Sequence, residues 1–117
     1  MRTLEETTVI SDADSALLQR VKASILKHLP AAKVVLYGSV ARGTQHADSD
    51  YDLFVVTDHD LSMAEERVIW HDIYAIELDR DMDVLFNVVF CSESQWGTGV
   101  YRGSPLRLDV EQDGIVL

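Results

Sequence analysis

The sequence predicts an α+β domain, and three observations carry that prediction. Three short apolar runs, at residues 33–37, 51–57 and 83–90, have the length and the Val, Phe and Tyr content of β-strands. Two longer stretches, opening at Ser11 and at Ser62, repeat apolar residues at helical spacing. The chain has 117 residues, 47% of them hydrophobic and spread along its length, which fits one core and one domain over residues 1–117.

Taken in order, Ser11-Asp12-Ala13-Asp14 reads as a helix start with Ser11 or Asp12 as cap. Leu17, Leu18, Val21, Ile25 and Leu29 then form one apolar stripe, and Pro30 ends the helix after Lys27 and His28. Lys33 to Tyr37 is a short buried-type strand. Gly38 breaks it, Ser39 to Arg42 can open a short helix, and residues 44–49 are a polar loop. Tyr51 to Thr57 is the second strand, followed by a turn at Asp58-His59-Asp60. Ser62 with Glu65 forms a capping box for a long helix, with Val68, Ile69, Ile73 and Ile76 on its apolar face. Trp70 and Tyr74 beside them, and Phe90 further on, read as core aromatics.

The third strand starts at Asp83 and runs through Val84, Leu85, Phe86, Val88, Val89 and Phe90, a continuous run that suggests burial on both faces. Residues 92–104, with Gly97, Gly99 and Gly103, read as a loop with room for one helical turn; in it Trp96 and Tyr101 read as core-edge aromatics. Pro105 suits the first position of a helix reaching Gln112, Gly114 ends it, and Ile115-Val116-Leu117 is a closing strand.

The formal charge of −10 and the lack of any basic run argue against a duplex DNA or long RNA substrate, which needs clustered Lys and Arg. The apolar runs are too short to cross a bilayer, and the polar, acidic opening Met1-Arg2-Thr3-Leu4-Glu5-Glu6 is unlike a signal peptide. Cys91 is the single cysteine, which removes intrachain disulfides and multi-cysteine zinc sites and makes a reducing cytoplasm the expected location. His28, His46, His59 and His71 lack metal-ligand spacing.

Two short patterns carry chemistry. Gly38-Ser39 lies between a strand and a helix start, where free N–H groups and a hydroxyl favour an anion. Ten residues separate Ser39 from Asp50, and one separates Asp50 from Asp52. In an extended strand such an i, i+2 pair shares one face, and two carboxylates so close call for a cation between them. Mg²⁺ takes one or two carboxylates plus phosphate oxygens. A third carboxylate would complete a two-metal site; Asp83 is the preferred candidate because the apolar strand starts directly after it, with Asp79 and Asp81 as rivals. Glu77 reads as a solvated helix residue.

GSVARG at 38–43 followed by SDYDL at 49–53 resembles the nucleotidyltransferases of the DNA polymerase beta superfamily, and more narrowly the minimal nucleotidyltransferase (MNT) group. The likeness extends to Asp83-Val84-Leu85-Phe86 and to the closing helix and strand, so it covers roughly residues 13–117. It implies a palm-like fold, a small mixed sheet flanked by helices, with two Mg²⁺ ions and ATP or another nucleoside triphosphate. Gly38 and Ser39 would hold the triphosphate. Asp50 and Asp52 would bind metal, and Asp83 would bind the second metal or take the acceptor's proton. Arg42 would neutralise phosphates or brace the loop. The implied reaction is attack on the α-phosphorus with loss of pyrophosphate. Since no second domain is expected, the acceptor comes from outside. Minimal chains of this group often pair with a small helical HEPN-type protein as a toxin–antitoxin module, the nucleotidyltransferase attaching AMP to a tyrosine of the toxin. The competing expectation is a non-catalytic module that neutralises its partner by contact. Transfer to a small molecule is a third.

Overall fold

The computed structural model describes residues 2–4, 10–44, 50–97 and 104–117. Its frame is one mixed sheet of five strands in the order β1-β5-β2-β3-β4. The strands are β1 (Arg2–Thr3), β2 (Lys33–Tyr37), β3 (Tyr51–Thr57), β4 (Phe86–Ser92) and β5 (Ile115–Val116). β2 pairs antiparallel with β3 and with β5; β1 lies parallel to β5, and β4 parallel to β3. A parallel pair needs a crossover, and the helix α3 (Met63–Asp79) supplies it between β3 and β4.

Alternation along the strands gives the sheet two unlike faces. Val34, Leu36, Leu53, Val55, Phe86 and Ile115 belong to the larger core cluster, under α1 (Asp12–His28) and α3. Leu17, Leu18, Val21 and Ile25 of α1, and Ile69, Ile73 and Ile76 of α3, fill the space above them. Val35, Phe54 and Cys91 point the other way and meet Val110 of α5 (Pro105–Asp113) and Trp96 of α4 (Glu93–Gly97). The two helices on this second face are short and are clamped together by Arg107. Its guanidinium lies 4.7 Å from the Trp96 ring centroid and donates to the Trp96 carbonyl at 2.7 Å.

Helix ends follow the sequence signals. The Ser11 hydroxyl accepts from the Asp14 N–H, and Ser62 and Glu65 make the reciprocal capping box. Pro105 stands in the first turn of α5, whose N-cap Ser104 accepts from the Arg107 N–H. The two long helices are tied at their rims by Arg20 with Asp79 and by His28 with Asp72, the latter at 2.6 Å.

Several expectations are corrected. The third strand begins at Phe86, not Asp83. After α3 the chain turns through Asp81 and Met82, both with positive φ (52° and 60°), and the Met82 N–H returns to the Glu77 carbonyl. The Glu77 carboxylate is no bystander: it accepts from the Phe86 N–H at 3.0 Å and thereby marks where the strand starts. β4 lies at the sheet's edge, so its apolar run is only half-covered at Val88, Val89 and Phe90. Trp70 and Tyr74 are 40% and 52% exposed, and Val68 is exposed too, because the buried stripe of α3 is the narrower set Ile69, Ile73 and Ile76. Of the stretch 92–104, residues 93–97 are helical, and Tyr101 lies outside the described residues. α5 runs to Asp113, one residue past Gln112. The strand β1 had no apolar pattern to announce it.

Candidate functional site

β2 ends at Tyr37 and α2 (Gly38–Arg42) begins at once, so the chain reverses over the carboxyl end of the strand. Gly38 makes that possible in two ways. Its φ is +79°, a left-handed conformation that a side chain disfavours. A Cβ there would also lie 2.3 Å from Asp52 Oδ2. The backbone at Gly38 and the Asp52 carboxylate are therefore packed directly together. Tyr37, the N-cap of α2, makes no side-chain capping bond, so the first N–H groups of this short helix receive no cap from it. Ser39, half-buried, stands at the second position of the turn.

The rest of the turn is anchored from behind. Val40 and Ala41 are buried. Arg42 pairs with Asp113 of α5 at 3.2 Å, and Arg2 donates to the Ala41 carbonyl at 3.0 Å. Arg42 thus braces the turn against α5. Gly43, with φ of 74°, closes the helix, its N–H bonded to the Val40 carbonyl at 3.1 Å. Residues 45–49, including His46, lie outside the described residues.

Asp52 is the second residue of β3 and faces Tyr37 across the antiparallel pair. Asp50 stands two residues earlier, on the same side of the chain. On the other flank, the parallel register sets Asn87 of β4 opposite Asp52. The Asn87 amide Nδ2 donates to Asp50 Oδ2 and to Asp52 Oδ1, at 3.2 Å each. One NH₂ group therefore marks the point on which both carboxylates converge. The neighbouring Tyr37 phenol is held protonated: burial raises its pKa, and the Asp52 and Asp109 carboxylates add to the effect.

Asp83 does not join the pair. It sits exposed in the bend before β4, four residues ahead of Asn87, and its N–H is bonded to the Arg80 carbonyl. Asp79 is paired with Arg20, and Asp81 lies in the turn. Among the described residues, no group of three His, Cys, Asp or Glu side chains comes together in a way that could hold a metal. Asp50, Asp52, Gly38 and Ser39 are brought to one corner of the sheet; the third carboxylate is not.

The model of the family described as "Polymerase beta, Nucleotidyltransferase" matches residues 19–90, more than half of the chain, from the middle of α1 into β4. The chain belongs to that family. The chain also matches a solved structure described as "Crystal structure of the toxin-antitoxin with AMP-PNP", with a TM-score of 0.54 and 22% identity, over 84% of this chain and 69% of that one. That likeness supports the shared fold. No curated protein matches the sequence. Among the described residues no helix is long and apolar enough to cross a membrane.

Sequence reasoning missed Asn87 in this member of the family. A lone Asn in an apolar run carries no signal of its own. Placing it requires the register of β4 on β3, and that register is set by the turn at Asp81–Met82 and by the Glu77 bond to Phe86.

Proposed function

We propose that this chain moves a nucleoside monophosphate, AMP from ATP, onto a hydroxyl of a partner protein. The partner fits best as the toxin of a toxin–antitoxin pair, a HEPN-type protein modified on a tyrosine, with this chain as the cytoplasmic antitoxin. The observation that carries the reading is the convergence of Asp50 and Asp52 on a single donor directly behind Gly38. Membership of the family supports the reaction class. The toxin–antitoxin and AMP-PNP in the description of a structural relative suggest the setting.

The donor set fits one divalent cation: two hard carboxylates and an amide meet where an NH₂ group already stands in for positive charge. Mg²⁺ bound there would supply charge neutralisation at the reacting phosphate and draw the triphosphate toward the carboxylates. The remaining work falls to the chain. The Gly38–Ser39 turn presents N–H groups and a hydroxyl without a Cβ in the way, which suits the β- and γ-phosphates. Asp50 and Asp52 fix the line along which the acceptor oxygen approaches the α-phosphorus. The new P–O bond forms as the bond to pyrophosphate breaks, and the acceptor's proton leaves to the carboxylate pair or to water. Positioning and electrostatics carry such transfers.

The test is incubation of the purified protein with Mg²⁺, α-labelled ATP and a lysate of its own cells, with Asp50→Asn/Asp52→Asn as control. Label on one protein band, with the wild type alone, is the expected result. Absence of label with each of the four nucleotides, from a folded protein, overturns the reading. One observation favours a second reading, a binding module that neutralises its partner by contact: an amide, not a carboxylate, adjoins the pair on β4. Under that reading the double variant still neutralises the partner.

A further inference from the structure

Asn87 occupies a distinctive position. It lies on the strand next to Asp52, in direct register with it, and its NH₂ edge spans both carboxylates at equal distance. It is an exposed side chain at an edge strand, so packing does not dictate its identity. Its position is where a third ligand would have to stand if β4 contributed one.

We propose that Asn87 is the third member of the metal site and that its neutral amide limits the nucleotide-free site to one divalent cation. This rests on the reading of Asp50 and Asp52 as metal ligands. The argument is one of charge and of donor chemistry. Without metal, the two amide hydrogens each serve a carboxylate and offset their mutual repulsion. A cation arriving at the same point displaces the NH₂ edge. Rotation about Cβ–Cγ then presents Oδ1, a neutral oxygen suited to a hard cation. Two carboxylates balance the two charges of one such ion. A second ion would add two more positive charges, and no third acidic, His or Cys side chain joins the pair among the described residues. It must therefore bring its own anion, and the triphosphate of the substrate is that anion. The second ion enters with the nucleotide; the first does not need it.

The experiment is a Mn²⁺ titration of nucleotide-free protein, with free Mn²⁺ read by electron paramagnetic resonance. Wild type, Asn87→Asp, Asn87→Ala and Asp50→Asn/Asp52→Asn are compared, and binding that survives in the double Asn variant is subtracted as unrelated to the site. The expected result is one site-dependent Mn²⁺ in the wild type and two in Asn87→Asp, the first held about tenfold more tightly than in wild type because a charge has been added. Asn87→Ala binds one ion more weakly than wild type, having lost an oxygen ligand. It gives the answer on its own if Asn87→Asp does not fold. Two site-dependent ions in the wild type overturn the proposal, as does Asn87→Asp that matches wild type in number and affinity, or Asn87→Ala that matches it in affinity. If the double Asn variant binds Mn²⁺ as well as wild type, the reading of Asp50 and Asp52 as ligands falls, and this inference with it. Loss in the double variant combined with indifference to Asn87 removes the inference alone.

Discussion

The two faces of the sheet are built for different ends. One is covered by α1 and α3, each of 17 residues, over a cluster that runs from Leu17 to Leu117. The other is covered by α4 and α5, of 5 and 9 residues, over Val35, Phe54, Cys91 and Val110. Asp52 and Asn87 alternate with Leu53 and Val88, and so fall on the thinner face. Stability is concentrated where the helices are long, and the polar site is placed where little has to be buried. The division teaches that substitutions on the two faces should separate stability from chemistry.

The largest expected effect is on the thick face. Ile73 is fully buried between α3 and the sheet, and Ile73→Ala should cost about 2–5 kcal/mol in urea denaturation. Nucleotidyl transfer per folded molecule should stay unchanged, and a loss of transfer below the unfolding midpoint would break the comparison. Gly38→Ala should cost less, about 1–2 kcal/mol for the left-handed backbone. It should nonetheless abolish transfer and ATP binding, since the new methyl group must push Asp52 aside. Retained ATP binding would show that the carboxylate can move without consequence.

Smaller effects test how the thick face is stitched at its rim. Tyr51 donates its hydroxyl proton to Asp14 of α1, and Tyr51→Phe should cost about 1 kcal/mol at neutral pH. Burial, then that bond, raises the Tyr51 pKa above its ordinary 10. The unfolded chain therefore loses the proton first, and wild-type stability declines as pH rises past 10 while the Phe variant lacks this decline. Melting curves across that range should converge. The smallest effect is at Asp72, whose pKa is lowered chiefly by its hydrogen bond with His28. Asp72→Asn should cost under about 1 kcal/mol, because the pair is partly exposed. A lowered carboxylate pKa contributes stability above the ordinary value of 3.8, lost as pH falls through the native value. Wild type and variant should therefore differ at pH 7 and coincide in strong acid.

What the sequence made legible was what local rules decide. Gly38, Asp50 and Asp52 form a turn and an i, i+2 pair, patterns that need no knowledge of a distant strand, and the structure brings them to one corner. The caps at Ser11, Ser62 and Ser104 are equally local. What stayed hidden depends on tertiary pairing. The start of β4 is set by a turn with two left-handed residues and by the Glu77 bond to Phe86, so apolarity beginning at Val84 misplaced it and made Asp83 look like a ligand. Trp70 and Tyr74 fit a helical apolar stripe, yet the sheet is only wide enough to bury Ile69, Ile73 and Ile76. β1 pairs with β5 from the far end of the chain, and two residues, Arg2 and Thr3, carry no period.

The bond from Asn87 to Asp52 joins residues 35 positions apart, whereas β2 and β3 meet through a much nearer return of the chain. Nearby antiparallel strands close early in folding, and parallel strands joined through a helix close late. β4 is thus expected to dock after β2 and β3 have paired, and its amide to reach the two carboxylates in one of the last steps. A divalent cation held most tightly by all three side chains would favour finished molecules. It would then act as a thermodynamic seal on the native state, deepening that state's free-energy well in proportion to the logarithm of its concentration.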